Sequence, residues 1–151
     1  MKHLLLAAVA ALTLSGLVSA QNEALDALFD ERIKDNEEYR DQYAKEAEDT
    51  TVAEELVPHE KESGQMWVDY LKHVKEKGDL KTKEYVLSLE YRGELSGAYW
   101  DLEYAEGVLE KTQARAKITK YKRKLEELDQ LLNPEKAAKP EEKAAEPEAK
   151  E

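Results

Sequence analysis

Hydrolytic, redox and metal chemistry each need particular side chains at particular spacings, and few of those types occur in this 151-residue chain. There is no Cys, so a thiol nucleophile, a thiolate ligand and a disulfide are all excluded. His59-Glu60-Lys61-Glu62 opens like a zinc-protease helix, but Ser63 stands where the second His would have to be. His59, Glu60 and Glu62 crowd one turn and could touch a cation; exposed charge at a helix start accounts for them as well. His73 stands alone. Ser63, Ser88 and Ser96 lack the Gly-x-Ser-x-Gly frame of a nucleophile elbow. Carboxylates are so frequent that pairing any two as acid and base would be arbitrary, and no Gly-rich phosphate loop is present. The sequence therefore assigns no catalytic, cofactor-binding or metal-binding residue, requires no cofactor, and points away from an enzyme.

Composition narrows the class further. Charged residues make up 38% and hydrophobic ones 41%, against only 6 Gly and 4 Pro, which suits a solvated helical protein. The formal charge is −11, and removing residues 1–20 takes away Lys2 alone, leaving 22 basic against 34 acidic groups. Nucleic acid is a poor partner for such a chain.

The first 20 residues have the three parts of a secretory signal. Lys2 and His3 form the basic end, Leu4 to Leu17 the apolar stretch, and Val18-Ser19-Ala20 the small-residue cleavage site, so the mature chain is expected to start at Gln21. An uncleaved anchor helix is the alternative. No Cys follows, so lipid attachment of the bacterial lipoprotein kind is excluded.

Residues 21–132 read as one helical domain with segments at about 23–57, 60–77 and 80–132. Leu25, Leu28, Phe29 and Ile33 begin a helical stripe that Tyr39, Tyr43 and Ala47 continue. Pro58 is expected to end this segment, because it lacks a backbone donor and restricts Val57. Met66, Trp67, Tyr70, Leu71 and Val74 mark the second segment, and Gly78 suits a left-handed cap. Asp79 can N-cap the third, in which Leu80, Leu87, Tyr91, Leu95, Ala98, Leu102, Ala105 and Leu109 keep a helical period. Tyr85, Leu87, Leu89 and Tyr91 also alternate as a strand would, but no second strand is available to pair with them. The stripe lapses over Lys111 to Lys117 and resumes at Ile118, Tyr121, Leu125, Leu128 and Leu132, a phase change of the kind found in irregular coiled coils. Residues 133–151 repeat Pro, Glu, Lys and Ala without a large apolar side chain and are expected to be disordered.

The expected fold is therefore all-α: an elongated antiparallel helical hairpin turning at Gly78-Asp79, or a three-helix coiled-coil-like bundle if the first helix folds back. A hairpin would span about 80 Å at about 1.5 Å per residue and set Trp67 near Leu89. Its charges agree, since Glu23 to Glu55 holds 13 acidic and 4 basic residues whereas Lys111 to Leu125 holds 7 basic and none acidic.

Interaction is what remains as function. Lys117, Lys120 and Lys124 on the basic stretch, with Tyr91, Tyr99 and Trp100 on the aromatic stripe, form the candidate interaction surface. Gly93 and Gly97 would let another helix, or a neighbouring Tyr or Trp, come close. The run Ala116-Lys117-Ile118-Thr119-Lys120-Tyr121 is loosely similar to one in fusobacterial-type hairpin adhesins, and the outline resembles trimeric periplasmic holdase chaperones; the tail and Pro58 depart from the adhesin pattern. The expectation is an exported, non-enzymatic protein of the periplasm or cell surface with a structural or adhesive role. Its partner would be a second copy or another envelope protein, with peripheral contact to anionic lipid possible through the basic stretch. The alternative is a periplasmic chaperone or carrier for client proteins or lipids.

Overall fold

A computed structural model describes the backbone of residues 2–134 and the side chains from Gly16 onward. The expected tail lies, beyond Pro134, outside the described residues, as do the side chains of most of the expected leader. Four helices follow one another: α1 (Lys2–Ala47), α2 (Ala53–Lys77), α3 (Leu80–Tyr104) and α4 (Val108–Leu132). The described residues contain no strand, and Tyr85 to Tyr91 is helical, with Val86, Leu87 and Tyr91 inward and Tyr85 and Leu89 outward.

Local chemistry explains the boundaries, and two of them differ from expectation. The first helix stops at Ala47, well before Pro58, because Asp49-Thr50-Thr51-Val52 is a run of poor helix formers. Thr50 ends the helix directly: its amide and its hydroxyl donate to the Ala47 carbonyl at 3.2 and 2.8 Å. Pro58 instead lies inside α2, near its start. The carbonyl that loses its partner belongs to Glu54, and Glu54 and Pro58 are both exposed, so water can replace the missing bond. The expected 80–132 helix is also two helices. Ala105-Glu106-Gly107 breaks it, and the Glu110 carboxylate accepts from the Glu106 and Gly107 amides at 3.0 and 3.2 Å, restarting the chain as α4.

The Gly78-Asp79 turn forms where expected, by a different geometry. Gly78 is extended (φ −70°, ψ 142°) rather than left-handed. Its amide donates to the Val74 carbonyl at 2.8 Å, and an added Cβ would sit 2.6 Å from that oxygen. Asp79 caps α3 by accepting from the Thr82 amide at 2.8 Å.

The fold is thus a helical bundle in which each arm of the expected hairpin has folded back. Helices α1 and α2 pack antiparallel, as do α3 and α4, and the two hairpins meet mainly through α1. An α1 carboxylate meets an α2 lysine at Asp30–Lys75 (2.5 Å) and again at Glu37–Lys72 (2.8 Å). Helix α1 then runs alongside α3 in the same direction and opposite to α4. Leu25, Phe29 and Ile33 of α1 meet Val68, Leu71 and Val74 of α2, Val86, Leu87 and Tyr91 of α3, and Tyr121 and Leu128 of α4. Burying each large side chain contributes about 1.5–3 kcal/mol. With three helices of 25 residues the bundle is about 40 Å long, half the span of the expected hairpin. Residues 16–20 are exposed, Leu17 at 47% and Val18 at 42%, and just beyond them the Gln21 side-chain amide donates to the Leu131 carbonyl of α4 at 3.0 Å.

Two expectations follow. A Cβ at Gly64 would fall 2.6 Å from Arg40 Cγ and 3.3 Å from its Cα, so Gly64→Ala should push α1 and α2 apart and lower stability by about 1–3 kcal/mol in urea unfolding. Asp79 and Glu110 are both held below the ordinary carboxylate range, each first by a hydrogen bond at its helix start. A depressed carboxylate adds stability above its unfolded-state pKa and loses it as pH falls. Helicity followed by circular dichroism should therefore weaken in acid, below about pH 4, and D79A should blunt that loss.

Candidate interaction surface

The seam between the hairpins is built of charge. Arg32, only 4% exposed, donates from Nε to Glu90 and from Nη2 to Glu94, both at 2.5 Å, and so fastens α1 to α3. Glu90 also accepts from Asn36 at 3.2 Å and from the Trp67 indole at 3.1 Å, bringing α2 into the same knot. Burial opposes the Arg32 charge, but the two carboxylates outweigh it and hold its pKa above the ordinary value. Lys83 meets Asp26 at 2.6 Å below this point, and Lys124 meets Glu31 at 2.6 Å on the α4 side. Arg32 Nη1 and the Tyr91 hydroxyl are buried without a hydrogen-bond partner. Tyr91 is pushed well above its usual pKa by burial and then by Glu31; Tyr121 is raised by burial and by a hydrogen bond with Tyr39.

This seam takes up part of the expected surface. Tyr91 is 3% and Lys124 9% exposed, so neither presents a face to a partner. Tyr91 packs on the Tyr121 ring at 6.3 Å. Lys120 reaches Asp35 of α1 at 3.5 Å and Lys117 reaches Asp101 of α3 at 2.9 Å, both across partly exposed edges. The basic stretch thus finds its acidic counterpart within one chain. Tyr99 and Trp100 do face outward, 47% and 60% exposed, with Lys122 over the Tyr99 ring and Trp100 stacked on Tyr104 at 5.7 Å.

A second apolar stripe lies on the outside of α3. Tyr85, Leu89, Gly93, Trp100 and Tyr104 recur at intervals of four and seven, on the side opposite Leu87 and Ala98. All five are exposed, and Gly97 lies on one border of the stripe. A Cβ at Gly93 or Gly97 would meet nothing within 4 Å, so these glycines serve no packing among the described residues. The sequence shows Tyr85 and Leu89 only as part of a strand-like alternation with Leu87 and Tyr91; the helix separates the four onto two faces, and Tyr104 then joins the outer one. Beside it, α2 and α3 diverge from their turn and leave a cleft of about 380 Å3, walled by Gly64, Trp67, Leu89 and Gly93 and floored by Arg32 and Tyr39 of α1. Trp67 stacks on Tyr70 at its outer lip.

No family model, curated protein or solved structure matches the chain. Among the described residues, no helix is long and apolar enough to cross a membrane, and no three His, Asp or Glu side chains converge to hold a metal ion.

The seam and the surface should respond differently to substitution. Arg32→Ala strands Glu90 and Glu94 and should cost about 3–5 kcal/mol of stability, and adding Glu90→Gln should recover part of it. Lys124→Glu should destabilise in the same way, whereas Lys117→Glu, on an exposed pair, should change thermal melting little.

Proposed function

We propose that this is an exported, non-enzymatic interaction protein of the cell envelope, self-associating through the outer face of α3, with a structural or adhesive role. The observation that carries the reading is that face. Four large apolar side chains, two of them stacked on each other, line one helix that is already committed on its other side to the core. Such an exposed stripe, bordered by charge, is what a protein-binding surface requires. Export is supported by the leader-like residues 1–20 and by the exposure of residues 16–20, which makes their removal compatible with an intact bundle. Lys117 and Lys120 are then edge residues of the fold, and contact with anionic lipid would fall to the exposed Lys111, Arg115 and Lys122 beside them.

The cleft supports a holdase reading as well, because Trp67 and Leu89 line it beside polar groups. The two readings part on lifetime: a structural protein forms a stable assembly with itself, and a holdase captures unfolded clients briefly. In the source cell, fractionation should place the protein outside the inner membrane, and intact mass should correspond to a start at Gln21. Full-length chain embedded in a membrane would reject the export reading. In sedimentation, self-association should be concentration-dependent, and Trp100→Ser with Tyr104→Ser should weaken it at least tenfold. A monomeric chain that suppresses aggregation of an unfolding client would instead favour the holdase.

A further inference from the structure

We infer that the partner of the outer α3 face is a second copy of this chain, docked antiparallel about a two-fold axis at Gly97. The inference rests on self-association as proposed above and gives it a surface and a register. A two-fold contact must be self-complementary: each group on the patch has to meet its counterpart from the same patch. Placing the axis at Gly97 sets residues equally far before and after it opposite one another. Trp100 then falls within one residue of Gly93 of the second copy, and Tyr104 within one residue of Leu89. A bulky ring is thus matched with the one bare position on the stripe, and an aromatic ring with an aliphatic side chain. Each match occurs twice.

Charge selects the same register independently of shape. Arg92 and Glu103 are exposed, lie on one edge of the stripe and are three helical turns apart. Arg92 is bonded only to the Ser88 hydroxyl at 3.1 Å, and neither residue makes an ion pair among the described residues. In an antiparallel pair the same edges of the two helices meet, and an axis at Gly97 brings Arg92 within one residue of Glu103 of the second copy. A parallel pairing would instead bring opposite edges together, leaving Arg92 and Glu103 of each copy on separate sides of the contact with no such exchange. The bare backbone at Gly97 lets the two helices cross closely at the axis, since an added Cβ there faces open space in the single chain. Leu89, Trp100 and Tyr104 would be covered in the pair, and with them most of the apolar stripe.

The absence of Cys makes the test direct. In the chain with Gly97→Cys, the two introduced thiols face each other across the axis within disulfide reach, so mild oxidation should give a covalent dimer in high yield. Arg92→Cys, off the axis, should not. By sedimentation equilibrium, Gly97→Leu should weaken dimerisation more than tenfold while circular dichroism shows the helical content unchanged. Arg92→Glu and Glu103→Arg should each weaken the dimer several-fold, and the double exchange should restore it. A wild-type dimer that tolerates Gly97→Leu and fails to cross-link at Gly97→Cys would overturn this register and leave self-association standing. A wild-type chain that is monomeric at all concentrations would overturn both.

Discussion

The Arg32 guanidinium, clamped between Glu90 and Glu94, is the interaction on which the arrangement of the helices turns. Without it, the apolar core shared by all four helices would still draw the α1–α2 and α3–α4 hairpins together, but with less to fix the register in which they meet. The clamp fixes α1 parallel to α3, and Asp26–Lys83 and Glu31–Lys124 repeat the constraint on either side of it. Buried ion pairs add little net stability, because desolvation takes back most of the Coulomb gain. Their value here is directional: a displaced register would leave three or four charges buried without partners, a penalty of several kcal/mol for each. Hydrophobic burial drives collapse, and the charges choose among the collapsed forms.

The same seam explains where the basic stretch of α4 went. Seven basic residues in a row of fifteen suggest a surface for anions, yet two of them are spent on α1 and a third on α3. The acidic excess of α1 is partly answered from inside the molecule. What α4 leaves outward is a solvated edge, and the apolar groups without a partner lie on α3.

Much of the fold was legible in the sequence. The helical periods of Leu25 to Ile33 and of Met66 to Val74, the Asp79 cap and the Gly78-Asp79 turn all act within a few residues, so local chemistry declares them. The pairing of acidic and basic segments was legible too, because charge imbalance persists over many residues. The Thr50 and Glu110 turns were not, since each depends on one side chain reaching back to an amide or carbonyl, a competition that the general helix propensity of the flanking residues conceals. Pro58 misled for the opposite reason: its cost is small where the orphaned carbonyl is wet. At the candidate surface, Tyr99 and Trp100 lie outward, whereas Tyr91 and Lys124 are buried. For Tyr91, position on a helical stripe does not reveal which of two apolar faces the core will take, and α3 has both; for Lys124, burial comes from the Glu31 pair that only the packed α1 supplies.

Because the close approaches fall mostly within α1–α2 and within α3–α4, the molecule is two clips joined at Gly78-Asp79. Separating them would uncover Phe29 and Leu87, both fully buried, along with the Arg32, Lys83 and Lys124 charges, so core and salt hold the clips together. The turn at Gly78-Asp79 only carries the chain from one clip to the other; among the described residues α2 and α4 do not touch, and the load of holding the clips together rests on α1 and α3, the two helices that meet all the others.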